Sequence, residues 1–405
     1  MAGIKILIIL AVMILILSRK KPLFMAMVAA IILTGFLFVG NIVDFLKYLG
    51  LGCVASSTIE ILVIAFLIIV LERCMDANDH MKRILSGLQG LFKSRRVAVA
   101  SVAAFIGIVP SMGGALLSAP LIEQACKGAD VKPEYKAYAN FYYRHIAEMV
   151  LPTYATNLLA VQLSGISMNV FIKTMLPFSV LFILLGLPTL KHIPNDFTAQ
   201  TQNPLAKINA LKDLVFGIWP IFAILLAVLV LQMSVWLATL IVLAILVIKN
   251  QQWQPRVLGR LVTGALKKQK FLLPSVLSVF LFKEVLVRSG AIDAITPFFF
   301  KLPIPEFLVM FILAFIISYL TGLMMTVMAI CIPLAAAMAG GSIEMPMLML
   351  LVMASAVGNM ITPTHICLPL NVEYFNTSLG KVIKLLLPPM LITGALSILA
   401  YIIMV

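Results

Sequence analysis

Four short stretches interrupt long apolar runs with residues that break helices and offer oxygen: Pro110 to Gly114, Leu151 to Thr156, Thr321 to Thr326 and Ile361 to His365. In or beside them stand Ser111, Gly113, Gly114, Thr153, Thr156, Asn157, Thr321, Gly322, Thr326, Asn359, Thr362 and Thr364. In hydrocarbon every backbone amide and carbonyl needs a partner, so irregular chain survives there only against protein or a water-filled cavity. Half-helix N-termini at such breaks present N–H groups to an anion, while unwound carbonyls and hydroxyls present oxygen to Na⁺. A single Ser or Thr in such a place more often bonds its own helix carbonyl, and it is the clustering at four breaks that marks these residues as candidates for substrate and ion binding.

Titratable groups flank the same breaks. Arg144, His145 and Glu148 are spaced to share a helix face ahead of Pro152, and His365 follows Pro363-Thr364 directly. Ionisable residues inside apolar spans are costly and suggest function by default, so His145, Glu148 and His365 are candidates for proton coupling. The competing readings are a structural ion pair for the first two and a satisfied helix-end histidine for the third. Lys173 and Lys384 are expected to snorkel to an interface, and Glu60, Lys283 and Glu284 have no partner that the sequence names. The cysteines, Cys53, Cys74, Cys126, Cys331 and Cys367, lie far apart in no spacing of a metal site, and are expected to be buried thiols with no metal. His145-x-x-Glu148 is not the HExxH of a zinc protease, and no Gly-x-Ser-x-Gly, Walker loop or dinucleotide fingerprint occurs. Catalysis and a cofactor are therefore not expected, and energy must come from an ion gradient or a separate subunit.

The elements that position these residues follow from composition. Of 405 residues 62% are apolar and 11% charged, against roughly a quarter charged in an ordinary soluble domain. The bilayer is the main solvent. The net charge of +14 comes from Lys and Arg in short loops between apolar runs, which speaks to topology rather than to a nucleic-acid partner. Residues 4 to 18 carry Lys5 ahead of the apolar run and Arg19, Lys20 and Lys21 behind it, the reverse of a cleavable signal, so this segment is expected to be retained.

Ten apolar segments are long enough to count as candidate spans, at about 4–18, 22–40, 57–72, 138–162, 170–188, 214–232, 234–248, 271–288, 346–370 and 382–404. Two more regions, 97–126 and 306–339, are broken mid-way, and each arm reaches only about 20 Å as helix, short of a hydrocarbon core of about 30 Å. They read as re-entrant hairpins, with a kinked helix or tilted spans as the alternative. A gap-free shift of 211 residues sets Pro152-Thr153 on Pro363-Thr364 and Ile172-Lys173 with Pro177 on Ile383-Lys384 with Pro388. Residues 1–190 and 214–405 thus form two repeats of five spans and one hairpin, joined by a cytoplasmic linker at 191–213. An odd number of crossings inverts the second repeat. With residues 19–21 in the cytoplasm, 22 of the 30 Lys and Arg fall on that side and 4 on the other, as the positive-inside rule requires, which puts both termini on the non-cytoplasmic side of a cell inner membrane. Residues 78–96 read as an amphipathic surface connector.

The ten-span plan, Pro110-Ser-Met-Gly-Gly-Ala-Leu-Leu-Ser-Ala-Pro-Leu121 and Thr362-Pro-Thr-His-Ile-Cys-Leu-Pro-Leu-Asn-Val-Glu-Tyr-Phe375 together resemble an uncharacterised ten-span family. That family is grouped with the ion-transporter superfamily, beside gluconate, citrate and dicarboxylate permeases and the arsenite pump subunit. The resemblance implies an all-α polytopic membrane protein, a homodimer whose hairpin-bearing part moves as an elevator against a scaffold. Dicarboxylate members carry Ser-Asn-Thr at both hairpin tips. Here the tips read Ser111-Met-Gly113 and Thr321-Gly-Leu323, so neither dicarboxylate specificity nor Na⁺ coupling carries over. The expectation is a secondary active transporter of a small organic anion, coupled to H⁺ or Na⁺ with a lean to H⁺. An inorganic-oxyanion or arsenite-type transporter is the alternative, and a channel or intramembrane enzyme is less favoured.

Overall fold

The computed structural model describes residues 5, 8–9, 11–13, 15–16, 19, 21–91, 94–108, 115–195, 204–268, 270–291 and 304–405. The first half contains α1 Leu23–Phe38, α2 Ile42–Val54, α3 Ser56–Ala77, α4 His80–Leu91, α5 Arg95–Ile108, α6 Ala115–Ala125, α7 Pro133–Arg144, α8 Ala155–Ser164 and α9 Met168–Leu190. The second contains α10 Pro204–Leu229, α11 Val235–Lys249, α12 Pro255–Lys268, α13 Leu272–Arg288, α14 Glu306–Thr321, α15 Met324–Met338, α16 Met345–Ile361, α17 Cys367–Tyr374 and α18 Leu379–Met404. No strand occurs among the described residues. Among the described residues three helices are long and apolar enough to cross a bilayer alone: Met168–Leu190, Ile208–Leu229 and Leu379–Met404. The pair α2 and α3, bent by 50° at their junction, qualifies together. The protein is an all-helical membrane protein.

Local sequence explains the helix ends. Pro133 and Pro346 open α7 and α16, where a missing N–H costs nothing. Ser167 caps α9 by accepting from the Val170 amide, and Asn41 caps α2 through Val43. Gly165 ends α8 and Gly322 ends α14, both left-handed at φ 74° and 67°, a region that favours glycine for want of a Cβ.

Helix order and packing recur between the halves. The α1–α13 contact is matched by α11–α3, α2–α13 by α12–α3, α5–α7 by α14–α16, and α7–α9 by α16–α18. The most telling pair crosses between halves: α15 lies on α8, and α6 lies on α17. Each hairpin thus rests its second arm on the broken helix of the other half. Two groups result, α1–α3 with α11–α13 and α5–α9 with α14–α18, which meet where α3 touches α8 and α13 touches α15. The α4–α10 pair stands beside them. There His80 Nδ1 donates to the Gly217 carbonyl at 3.0 Å, and burial holds this imidazole below its ordinary range.

Three expectations need correction. Residues 41–56 and 249–270, left between the expected spans, contain helices α2 and α12; each packs on a span of the opposite half, and that tertiary partner stabilises a segment too short to read as a span. Arg144, His145 and Glu148 do not share a helix face, because α7 ends at Arg144 and Glu148 lies in a 3₁₀ turn, Ala147–Met149. Cys53 is exposed whereas the other cysteines are buried.

Candidate functional site

The two halves meet at their breaks. The first break runs from His145 to Tyr154, between α7 and α8, and the second from Thr362 to Ile366, between α16 and α17. The tip of the second hairpin, Gly322-Leu323, is set against the second break so closely that a Cβ on Gly322 would stand 2.6 Å from the His365 nitrogen and the Thr364 carbonyl carbon. Hydroxyls fasten this contact. Thr362 and Thr364 both donate to the Tyr319 carbonyl, the latter at 3.1 Å, and lie 2.8 Å from one another. Thr321 turns back onto its own helix at Ile317, 2.7 Å away.

His365 closes the junction from inside. Its Nδ1 donates to the Gly322 carbonyl at 3.0 Å, and its Nε2 lies 3.0 Å from Nε2 of His145. His145 in turn donates from Nδ1 to the Phe141 carbonyl at 2.6 Å, and Phe141 packs on both imidazoles with ring centroids 4.6 and 5.6 Å away. Glu148 stands 3.9 Å from His145 Nε2. The three proton-coupling candidates therefore meet, although they come from opposite halves. The ligand atoms of His145, His365 and Cys367 lie within 4.8 Å of one another, a grouping of which the cysteine spacing gave no sign. Spacing along the chain could not reveal this, because folding joins residues 220 positions apart.

The first break is built on the same plan with different groups. The Tyr154 hydroxyl donates to the Gly107 carbonyl, and a Cβ on Gly107 would collide with the Arg144 carbonyl. Asn157 Nδ2 donates to the carbonyls of Glu148 and Leu151 at 2.8 and 2.9 Å, which satisfies backbone that the break leaves unwound. Arg144, the last residue of α7, is buried at the start of this break.

Of the oxygen candidates, Thr153, Thr156 and Asn157 stand at or beside the start of α8, Thr326 at the start of α15, and Asn359 near the end of α16. The packing of α8 on α15 and of α15 on α16 brings these elements together. Four of their atoms, Thr153 Oγ1, Asn157 Oδ1, Thr326 Oγ1 and Asn359 Oδ1, are buried and find no hydrogen-bond partner among the described residues. Ser111, Gly113 and Gly114 lie outside the described residues. Sequence reasoning missed Tyr154, Cys367, and the Asn140 amide, which donates to Asn371 at 2.5 Å between α7 and α17. Tyr154 was findable, since the shift that pairs Pro152 with Pro363 also pairs it with His365.

Broken helices that interlock across two matched halves define a polytopic membrane fold built around a junction of interrupted spans. The chain belongs to the family described as protein of unknown function DUF401, which matches residues 2–404. A search of curated proteins found no match. Among solved structures it is similar in fold to the Alcanivorax borkumensis YdaH transporter, whose crystal structure is described as revealing an unusual topology. The TM-score is 0.66 at 16% identity, over 96% of this chain and 98% of that one.

Proposed function

We propose that this protein is a secondary active transporter of a small organic anion, driven by a cation gradient, with cargo and cation bound where the two breaks meet. The observation that carries the reading is the set of four buried oxygens, on Thr153, Asn157, Thr326 and Asn359, that find no partner among the described residues. A buried polar atom without a partner costs about 1–3 kcal/mol, and four on helices that pack against one another ask for a ligand. Oxygen donors suit a hard cation, and α8, α15 and α17 begin at the junction without side-chain caps, leaving amide groups for a carboxylate. The transporter fold of the structural relative supports the class.

The same reading arranges the chain as two inverted repeats, 1–190 and 214–405, of five spans and a hairpin each, with both termini outside the cytoplasm and two copies forming the working unit. The hairpin-bearing group α5–α9 with α14–α18 moves as an elevator against the other, which fits the narrow seam between the groups. In liposomes, with Na⁺ and pH gradients imposed separately, a carboxylate should accumulate only under one of them, and Thr326→Val should abolish that dependence without loss of folded protein. Accumulation that ignores both gradients would remove the secondary-transport reading. A tag after Val405 labelled only from the cytoplasm would reject the topology.

A further inference from the structure

We infer that His145, His365 and Cys367 form a binding site for a thiophilic divalent cation of the zinc class, with one coordination position left open. The inference rests on the cluster alone and holds whatever the protein carries. Carbonyl oxygens only accept hydrogen bonds, so the contacts from Phe141 and Gly322 require that both Nδ1 atoms carry the hydrogen. In the neutral rings both Nε2 lone pairs then face each other across 3.0 Å. Two acceptors at that distance repel unless a positive centre lies between them. A backbone carbonyl on the far nitrogen is also the arrangement that fixes the tautomer of metal-ligating histidines.

Dimensions and charge agree. Zinc bonds of about 2.0–2.1 Å to nitrogen and about 2.3 Å to sulfur place tetrahedral ligand atoms roughly 3.3–3.7 Å apart. The three donors already lie within 4.8 Å of one another, and the histidine nitrogens are 3.0 Å apart, so small ring movements suffice. Two imidazoles and a thiolate select a borderline-soft ion over Ca²⁺ or Mg²⁺, which take oxygen. Binding releases the Cys367 thiol proton to solvent and forms one metal–sulfur bond. One thiolate and the nearby Glu148 carboxylate, 3.9 Å from His145 Nε2, offset the two charges of a dication and lower the cost of burying it. Three protein ligands leave the fourth position for water or the Glu148 carboxylate.

Because His145 caps the C-terminus of α7, Cys367 opens α17 and His365 holds the α14–α15 tip through Gly322, a bound ion would tie three elements from both halves. The test uses the full chain, purified in detergent and stripped with chelator. Titrated Co²⁺ should bind at one ion per chain, with the visible bands of tetrahedral cobalt and a thiolate charge-transfer band, and Zn²⁺ should displace it. Zn²⁺ should also raise Tm by a few degrees. Cys367→Ser should lose the charge-transfer band and bind at least tenfold more weakly, as should His365→Gln, while Cys331→Ser, at a buried thiol elsewhere, should bind as the parent does. If either ligand variant fails to elute as folded protein, the other decides. No cobalt bands in the parent, or bands that survive Cys367→Ser and His365→Gln, would overturn the site.

Discussion

The two breaks solve one mechanical problem with different chemistry. In each half a Pro-Thr pair is followed by a ring that donates a hydrogen bond to a glycine carbonyl at the end of the first hairpin arm: Tyr154 to Gly107 in the first half, His365 to Gly322 in the second. In each, that glycine sits where a Cβ would strike the backbone of the adjoining break. What differs is the ring. A phenol can only tie the arm down, whereas an imidazole has a second nitrogen, and in the second half that nitrogen faces His145 and Cys367. Both breaks are fastened in the same way, and the second fastener keeps a ring nitrogen beyond the one that makes the fastening bond.

The sharpest way to break this comparison is at the glycines. Gly107→Ala should be the most damaging single change, since the new carbon meets the Arg144 carbonyl inside a packed helix crossing, and backbone cannot yield as a flexible side chain would. Loss of more than about 4 kcal/mol, seen as aggregation or no monodisperse peak, is expected. Gly322→Ala adds left-handed strain of roughly 1–2 kcal/mol to its own close contact, and should fall in the same class. Gly380→Ala, in open space at the start of α18, should be silent. Normal thermal stability of Gly107→Ala would show that the first arm is not seated on the break.

Next come the rings. Tyr154→Phe leaves the Gly107 carbonyl without its donor and should cost about 1–3 kcal/mol, lowering Tm with no effect on cobalt binding. His365→Phe should lower Tm to a similar degree and abolish the cobalt bands as well. If both variants changed cobalt binding equally, the division between a mechanical and a reactive fastener would be lost.

How much of this was legible beforehand depends on whether the cause was local. Pro152, Pro363 and Gly322 are local punctuation, and the breaks occur where they stand. The hairpin at 306–339 appears as α14 and α15 for the same reason. The helices α2 and α12 were not legible, because their stability comes from α13 and α3 on the opposite half. Nor was the early end of α7 at Arg144, where apolar periodicity continues but the chain turns to meet α17. The histidine–cysteine cluster was invisible as a cluster, since His145 and Cys367 lie in different halves and no motif links them. Even so, each histidine was singled out by its type and by its distance from a break.

The smallest effects should come from the paired threonines, and here the halves are expected to differ in sign. Thr153 and Thr364 occupy the same register after their prolines. The Thr364 hydroxyl makes two contacts, to Thr362 at 2.8 Å and to the Tyr319 carbonyl at 3.1 Å, so Thr364→Val should cost about 0.5–1.5 kcal/mol. The Thr153 hydroxyl is buried with no partner among the described residues. Valine has nearly its shape and no polar atom to desolvate, so Thr153→Val should leave Tm unchanged or raise it in ion-free buffer. The same variant should forfeit any rise in Tm that the proposed coupling cation gives the parent, because a ligand stabilises only the state that binds it. Equal destabilisation of both variants in ion-free buffer would mean that Thr153 is already satisfied, and would take the first break out of the cation site while leaving the second intact.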